Sequence, residues 1–279
     1  MTLTKPTADI YIPNNDALDA ALGTVTHLGI GAHQDDLEFS AYHGILQCFE
    51  KPGMGFCGVT CTDGAGSPRA GDYARYTDDD MRTIRREEQR TAAQTGRYKA
   101  MFQLDFTSKE IKGGINADVI ADLTAIIGAT RPKVIYTHNL ADRHPTHVGV
   151  AKHVIHALRG LLPSGYKPEA FYGCEGWRDL DWMPQSRTQV LDVSEREHLA
   201  ASLSGAFDSQ IAGGKRYDLA ILGRRRANAT MFASHGVDEM TAAMYAMNLL
   251  PLLDNPALDL KAYVEGIIEE FKNEALATL

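Results

Sequence analysis

The sequence is short of basic residues, of cysteine and of long apolar runs. Its 279 residues hold 28 Lys and Arg against 36 Asp and Glu, a formal charge of −8. That deficit argues against a protein that wraps nucleic acid, whose phosphates demand a basic face. It also gives no reason to expect binding to an anionic membrane surface. No segment approaches the roughly 18 consecutive apolar residues of a spanning helix. The start, MTLTKPTADIYIPNN, has no apolar h-region, so a globular cytoplasmic protein is expected. Cys48, Cys57, Cys61 and Cys174 are too sparse for a disulfide framework. Cys57 and Cys61 alternate onto one face of a strand-like run and read as small buried apolar residues rather than ligands.

What is present is an alternation of strands and helices. β-branched or apolar runs at 24–32, 55–62, 101–106 and 133–138 read as buried strands. Helical spacing covers 37–49, Asn116 to about Thr130, and 147–162. Another helix is capped by Thr77 or Asp78 and stopped by Gly96. This order implies an α/β, doubly wound fold with a mostly parallel sheet and helices on both faces. Beyond 163, EAFYGCEGW and TQVLDV are short strand candidates. Helical stretches follow at 194–212, 215–233, 240–253 and 259–276. No linker or repeat interrupts the chain. One domain over 1–279 is expected, with a core over about 24–162 and a helical C-terminal extension.

In a parallel sheet, ligands bind outside the carboxyl ends of the strands. Two strands end there in polar clusters, AHQDDLE at 32–38 and THNLADRHPTH at 137–147, and each runs into a helix. His33, Asp36 and His147 offer two imidazoles and a carboxylate, a set that suits zinc and leaves a fourth position open. Asp35 and His144 would be unliganded neighbours, available for proton transfer and for stabilising charge. The bland alternative is that Asp35 or Asp36 caps the helix from 37. GIGAHQ has Gly29 and Gly31 but Gln34 where a third glycine belongs, so the dinucleotide fingerprint fails.

AHQDDLE and the HPTH of 144–147 resemble the signature motifs AHPDDxE and HPDH of the PIG-L/LmbE-like zinc-dependent N-deacetylases. TDGAG at 62–66 and IRREEQRTAAQTG at 84–96 are similar to further family segments. The resemblance implies a Rossmann-like fold and hydrolysis of an N-acetyl group, typically on an N-acetylglucosamine-type sugar or conjugate. It implies zinc on His33, Asp36 and His147, Asp35 as general base, and His144, in its protonated form, holding the oxyanion. Arg85 matches an arginine near the sugar or its aglycone. Gln34 replaces the motif proline and is expected to loosen the turn. Thr146 replaces an acidic residue, for which Asp142 is a substitute partner to His144. The aspartate expected near 108 is missing.

Around this centre, the loop 64–80 with Arg69, Asp72, Tyr73, Arg75 and Tyr76 is either a lid or a mobile solvated loop. Both tryptophans fall in GCEGWRDLDW at 173–182, and Trp177 is expected on the pocket wall. His235 sits where members often carry a late histidine. Arg224, Arg225 and Arg226 read as a solvated helix face paired to acids. His27, His43, His153, His156 and His198 read as structural. The stretch 241–253 would bury either core or the interface of a symmetric homo-oligomer. The alternatives to deacetylation are metal-dependent cleavage of another amide, an ester or a phosphoester, and a non-catalytic sugar-binding module.

Overall fold

The computed structural model describes residues 1–279. Its framework is one eight-stranded sheet in the order β1-β4-β3-β2-β5-β6-β8-β7. The strands are β1 (Asp9–Tyr11), β2 (His27–Gly31), β3 (Phe56–Thr62), β4 (Ala100–Phe106), β5 (Val134–His138), β6 (Ala170–Cys174), β7 (Thr188–Asp192) and β8 (Ala243–Asn248). The helices are α1 (Leu18–Leu22), α2 (Asp36–Ser40), α3 (Tyr42–Cys48), α4 (Asp78–Thr95), α5 (Ser108–Lys112) and α6 (Ala117–Thr130), followed by α7 (Pro145–Leu161), α8 (Glu197–Gly205), α9 (Asp208–Ile211), α10 (Tyr217–Met231), α11 (Pro251–Asp254) and α12 (Leu260–Ala277). None is long and apolar enough to cross a membrane.

Strands β2 to β6 are parallel, while β1, β8 and β7 each pair antiparallel with their neighbours. From β2 the chain winds outward to β3 and β4, then returns across β2 to start β5. That reversal opens a crevice between the carboxyl ends of β2 and β5. β2 and β3 are buried along their whole length, which is why they read as continuous apolar runs. Two apolar clusters line the sheet, one led by Ile30, Phe102 and Val154 and the other by Leu37, Tyr98 and Tyr136.

Three expectations need correction. Residues 240–253 form a strand and a short helix, not one helix. β8 lies between β6 and β7 with five of its six residues buried. Ala and Met favour helices in isolation, but the pairing on both edges and burial on both faces override that preference. Its apolar residues are therefore core, not an oligomer interface. The 37–49 helix breaks at Ala41 (φ −116°) into α2 and α3, and 194–212 divides into α8 and α9. Capping follows the sequence more closely: Thr77 and Asp80 form a reciprocal capping box on α4, which ends at Gly96.

His27 and His43 are packed near the Tyr136 ring. The Tyr136 hydroxyl lies 2.8 Å from His43 Nδ1, and the His27 ring stacks on Tyr136. Burial lowers both imidazoles from 6.5 to about 4. Between those values the unfolded chain binds more protons than the folded one, so stability falls as pH drops through that window. The melting temperature is expected to decline from pH 6.5 to pH 4, and His43→Asn is expected to flatten that decline. An identical slope in the variant would overturn this assignment.

Candidate metal and catalytic site

Two turns converge at the switch point. The first leaves β2 at Gly31, where a Cβ would stand 2.8 Å from the Cβ of Asp36. The chain then turns through His33, Gln34 and Asp35 into α2. Asp35 is left-handed, with φ 89° and ψ −29°, which costs a non-glycine residue roughly 1–3 kcal/mol. Surrounding bonds hold it. Gln89 Oε1 accepts the Asp35 N–H at 3.2 Å. Gln34, expected to loosen this turn, ties it down, because its Nε2 donates to Thr62 O at 3.1 Å and to Gln103 Oε1 at 3.2 Å.

One oxygen of Asp36 accepts the backbone N–H groups of Ala32 (3.0 Å) and His33 (2.7 Å). That oxygen lies 3.4 Å from His33 Nδ1, and the other lies 3.4 Å from His147 Nε2. Burial opposes ionisation of Asp36, but His147 and His138 outweigh it and hold the carboxyl well below the usual carboxylate range. The second turn supplies His144 as the N-cap of α7, followed by Pro145 in the first helical turn. The three-residue spacing puts His144 and His147 on one face, with ring centroids 4.6 Å apart. His144 Nδ1 accepts the Thr146 N–H at 3.3 Å. Burial, with His147 and His33 nearby, lowers His144 to about 4. It is therefore neutral near pH 7, not protonated as expected.

His33, Asp36 and His147 bring one ligand atom each to within 4.8 Å of one another. His147 Nε2 is buried and makes no hydrogen bond, which is what a ligand nitrogen facing a cation requires. Asp142 lies 3.5 Å from the other ring nitrogen, with its side chain fully buried. Its oxygens also accept the N–H groups of His144 (2.8 Å) and Trp177 (3.0 Å). Asp142 thus backs His147 and touches His144 only through the main chain. It is not a partner to the His144 ring and does not line the cavity.

Arg85 is buried and places Nη1 and Nη2 3.2 and 3.3 Å from one Asp35 oxygen, while also donating to Gln34 O. Burial pushes Asp35 up to about 7, against the pull of this guanidinium. Beneath them Glu38 accepts from Gln89 (2.8 Å) and Tyr98 (2.7 Å), and burial pushes it up to about 8. These groups open onto a cavity of about 730 Å³ that His33, Asp35, Asp36, Arg85, His144 and His147 all line. Trp177, 44% exposed, forms part of its wall, 6.3 Å from the His144 ring.

Other expected residues fall elsewhere. His235 is exposed and outside the cavity wall. The 64–80 loop contributes Gly64, Gly66, Ser67 and Pro68 to the wall, but none of its arginines or tyrosines. Arg69 donates to Ala65 O and Tyr76 O, and the Tyr73 hydroxyl donates to Asp208 at 2.7 Å. Only Arg226 fits the expected solvated face, paired with Glu197. Arg225 is buried over the Tyr42 ring and donates to the carbonyls of Glu38 and Phe39, while Arg224 lines the cavity. Sequence reasoning passed over His138, whose ring stacks 3.8 Å from His147 and whose Nε2 accepts the Ala32 N–H. Its place at the end of β5 was the available signal. Lys215, Tyr217 and Arg224 complete the wall from a segment that carries no motif.

Residues 28–158 match the family described as PIG-L: GlcNAc-PI de-N-acetylase. Several solved structures share the fold. The conserved protein TT1542 from Thermus thermophilus is 18% identical, with 84% of this chain and 98% of that one covered at a TM-score of 0.63. The N,N'-diacetylchitobiose deacetylase from Pyrococcus horikoshii is 16% identical, covering 89% and 93% at 0.61. GalB, the 4-carboxy-2-hydroxymuconate hydratase from Pseudomonas putida KT2440, is 17% identical, covering 81% and 95% at 0.63. The match to the PIG-L family thus covers residues 28–158, the segment that holds both polar turns.

Proposed function

We propose that the chain is a zinc-dependent hydrolase that removes the N-acetyl group of an amino sugar or its conjugate. One fold houses a deacetylase and a hydratase, so the reaction is argued from the site. The observation that carries it is Asp35, a buried carboxylate poised near neutrality beside a three-ligand group in which it takes no part. A general base works best with its pKa near the working pH. The sheet runs unbroken from the motif-bearing strands into β8 and β7, which supports reading 1–279 as one domain.

His33, Asp36 and His147 would hold the metal, and two imidazoles with one carboxylate suit zinc. Bound there, zinc would lower the pKa of a water towards about 7 and polarise the acetyl carbonyl. Asp35 takes the proton of the attacking water, held in position by Arg85 and by its own left-handed backbone. His144, with Nδ1 occupied by Thr146 N–H, keeps its ring proton on Nε2 and donates it as a hydrogen bond to the carbonyl oxygen as charge develops. Asp35 then passes the proton to the departing nitrogen, giving acetate and a free amine. Asp142 fixes the His147 ring from behind, the usual duty of a carboxylate behind a ligating imidazole.

Asp35→Asn tests the base without disturbing the turn, since Asn tolerates a left-handed backbone better than Ala. It is expected to retain zinc and lose about 10²–10⁴-fold in kcat. Asp36→Asn is expected to lose zinc itself. Equal zinc loss in both would overturn the division of roles, with metal content read by elemental analysis. His144→Ala is expected to keep zinc and lose about 10²–10³-fold in kcat; unchanged turnover would remove it from the mechanism. Acetate release from N-acetylated amino sugars should vanish on chelation and return with zinc. A zinc-loaded protein that releases no acetate from any of them would overturn the deacetylase reading.

A further inference from the structure

The cavity wall built by residues 176–224 lies outside residues 28–158, and it is rich in unpaired positive charge. Lys215 Nζ sits 5.1 Å from the centroid of the Trp177 ring. Arg224 donates to the carbonyl of Gly176, the residue before Trp177, and makes no other hydrogen bond within the protein. Neither side chain forms an ion pair. Glu175 and Asp181 act on Arg224 only at a distance. Lys112 adds a third unpaired cation at the rim of the same cavity.

The acids on this wall are already committed. Asp35 is held by Arg85, and Asp36 belongs to the histidine group. The lining therefore carries four cationic side chains, Arg85, Lys112, Lys215 and Arg224, against two carboxylates. This is the reverse of the whole chain, whose formal charge is −8. A concave site with one sign of charge on a low-dielectric wall concentrates ligands of the opposite sign. Lys215 and Arg224 are half-buried and lack an acidic partner, so an anion placed between them would gain charge-assisted contacts from both.

We infer that the substrate carries an anionic oxo group, a carboxylate or a phosphate, which Lys215 and Arg224 hold beside Trp177. This rests on the deacetylase reading for the position of the scissile amide, at Asp35 and His144. The Trp177 ring gives the sugar an apolar face to lie against, and the two cations fix which end of the molecule points away from the reacting centre. Charge-assisted bonds of this kind carry orientation as well as affinity.

The test is calorimetric titration of the zinc-loaded protein with glucosamine, glucosamine 6-phosphate and muramic acid, which needs no turnover. At least one anionic sugar is expected to bind about ten-fold or more tightly than glucosamine, with the preference shrinking as salt rises. The phosphate and carboxylate arms identify which group the site takes. Lys215→Gln and Arg224→Gln are each expected to cut the ratio of anionic to neutral affinity by about three-fold or more, and the double variant is expected to bring it to about one. No preference in the wild type, or a preference that survives in the double variant because the anion sits on zinc, would overturn the inference. Acetate release from the matching N-acetylated sugars is measured alongside. A lost preference with acetate still released sinks the anion site alone, whereas an intact preference without acetate sinks the deacetylase reading and leaves the anion site standing.

Discussion

Two backbone N–H groups at the end of β2 converge on one oxygen of Asp36, and the rest of the site depends on that convergence. It closes the strand-to-helix turn and leaves the second Asp36 oxygen facing His147. It also helps keep a buried carboxylate charged, which the low-dielectric interior would otherwise forbid. Gly31 makes the turn possible because a Cβ there would strike Asp36. Asp35 pays for the same geometry in backbone strain. In exchange its carboxylate reaches the cavity from a main-chain position locked by Gln89 and Arg85.

Neighbouring carboxylates thus take opposite characters from their surroundings. Asp36 is ringed by donors and imidazoles and stays ionised. Asp35, equally buried but facing a single guanidinium, titrates near neutrality. Under the proposed function, this separation by environment would supply a ligand and a base from the same residue type. Glu38, one turn on, is a third case: with only neutral partners in Gln89 and Tyr98, it is pushed towards its protonated form and serves as a brace.

Much of this was legible in the sequence. The central parallel strands are buried on both faces, so their apolar runs announce them. The two turns concentrate His33, Asp35, Asp36, His144 and His147 within two short stretches that the spacing alone assigns to the same sheet edge. β8 was not legible, because its Ala and Met residues speak for a helix and only the pairing with β6 and β7 decides otherwise. β1 is a three-residue edge strand, too short for a pattern. Gln34 was misjudged because its anchoring partners, Thr62 and Gln103, are distant in sequence. Lys215 and Arg224 carry no signal either: nothing in a run of three arginines tells which one faces solvent, which is buried and which lines a cavity. The polar residues of the centre are written locally, while the far wall of the cavity is set by long-range packing.

The buried guanidinium of Arg225 has a consequence in time. It reaches from α10 to the carbonyls of Glu38 and Phe39, near the end of the helix that Asp35 and Asp36 begin. Those carbonyls lack this donor until α10 has docked, although both polar turns have been synthesised long before. During translation the order in which parts appear is fixed by the chain. A nascent polypeptide that already holds both polar turns therefore still awaits residue 225 before the first of them is clamped from behind.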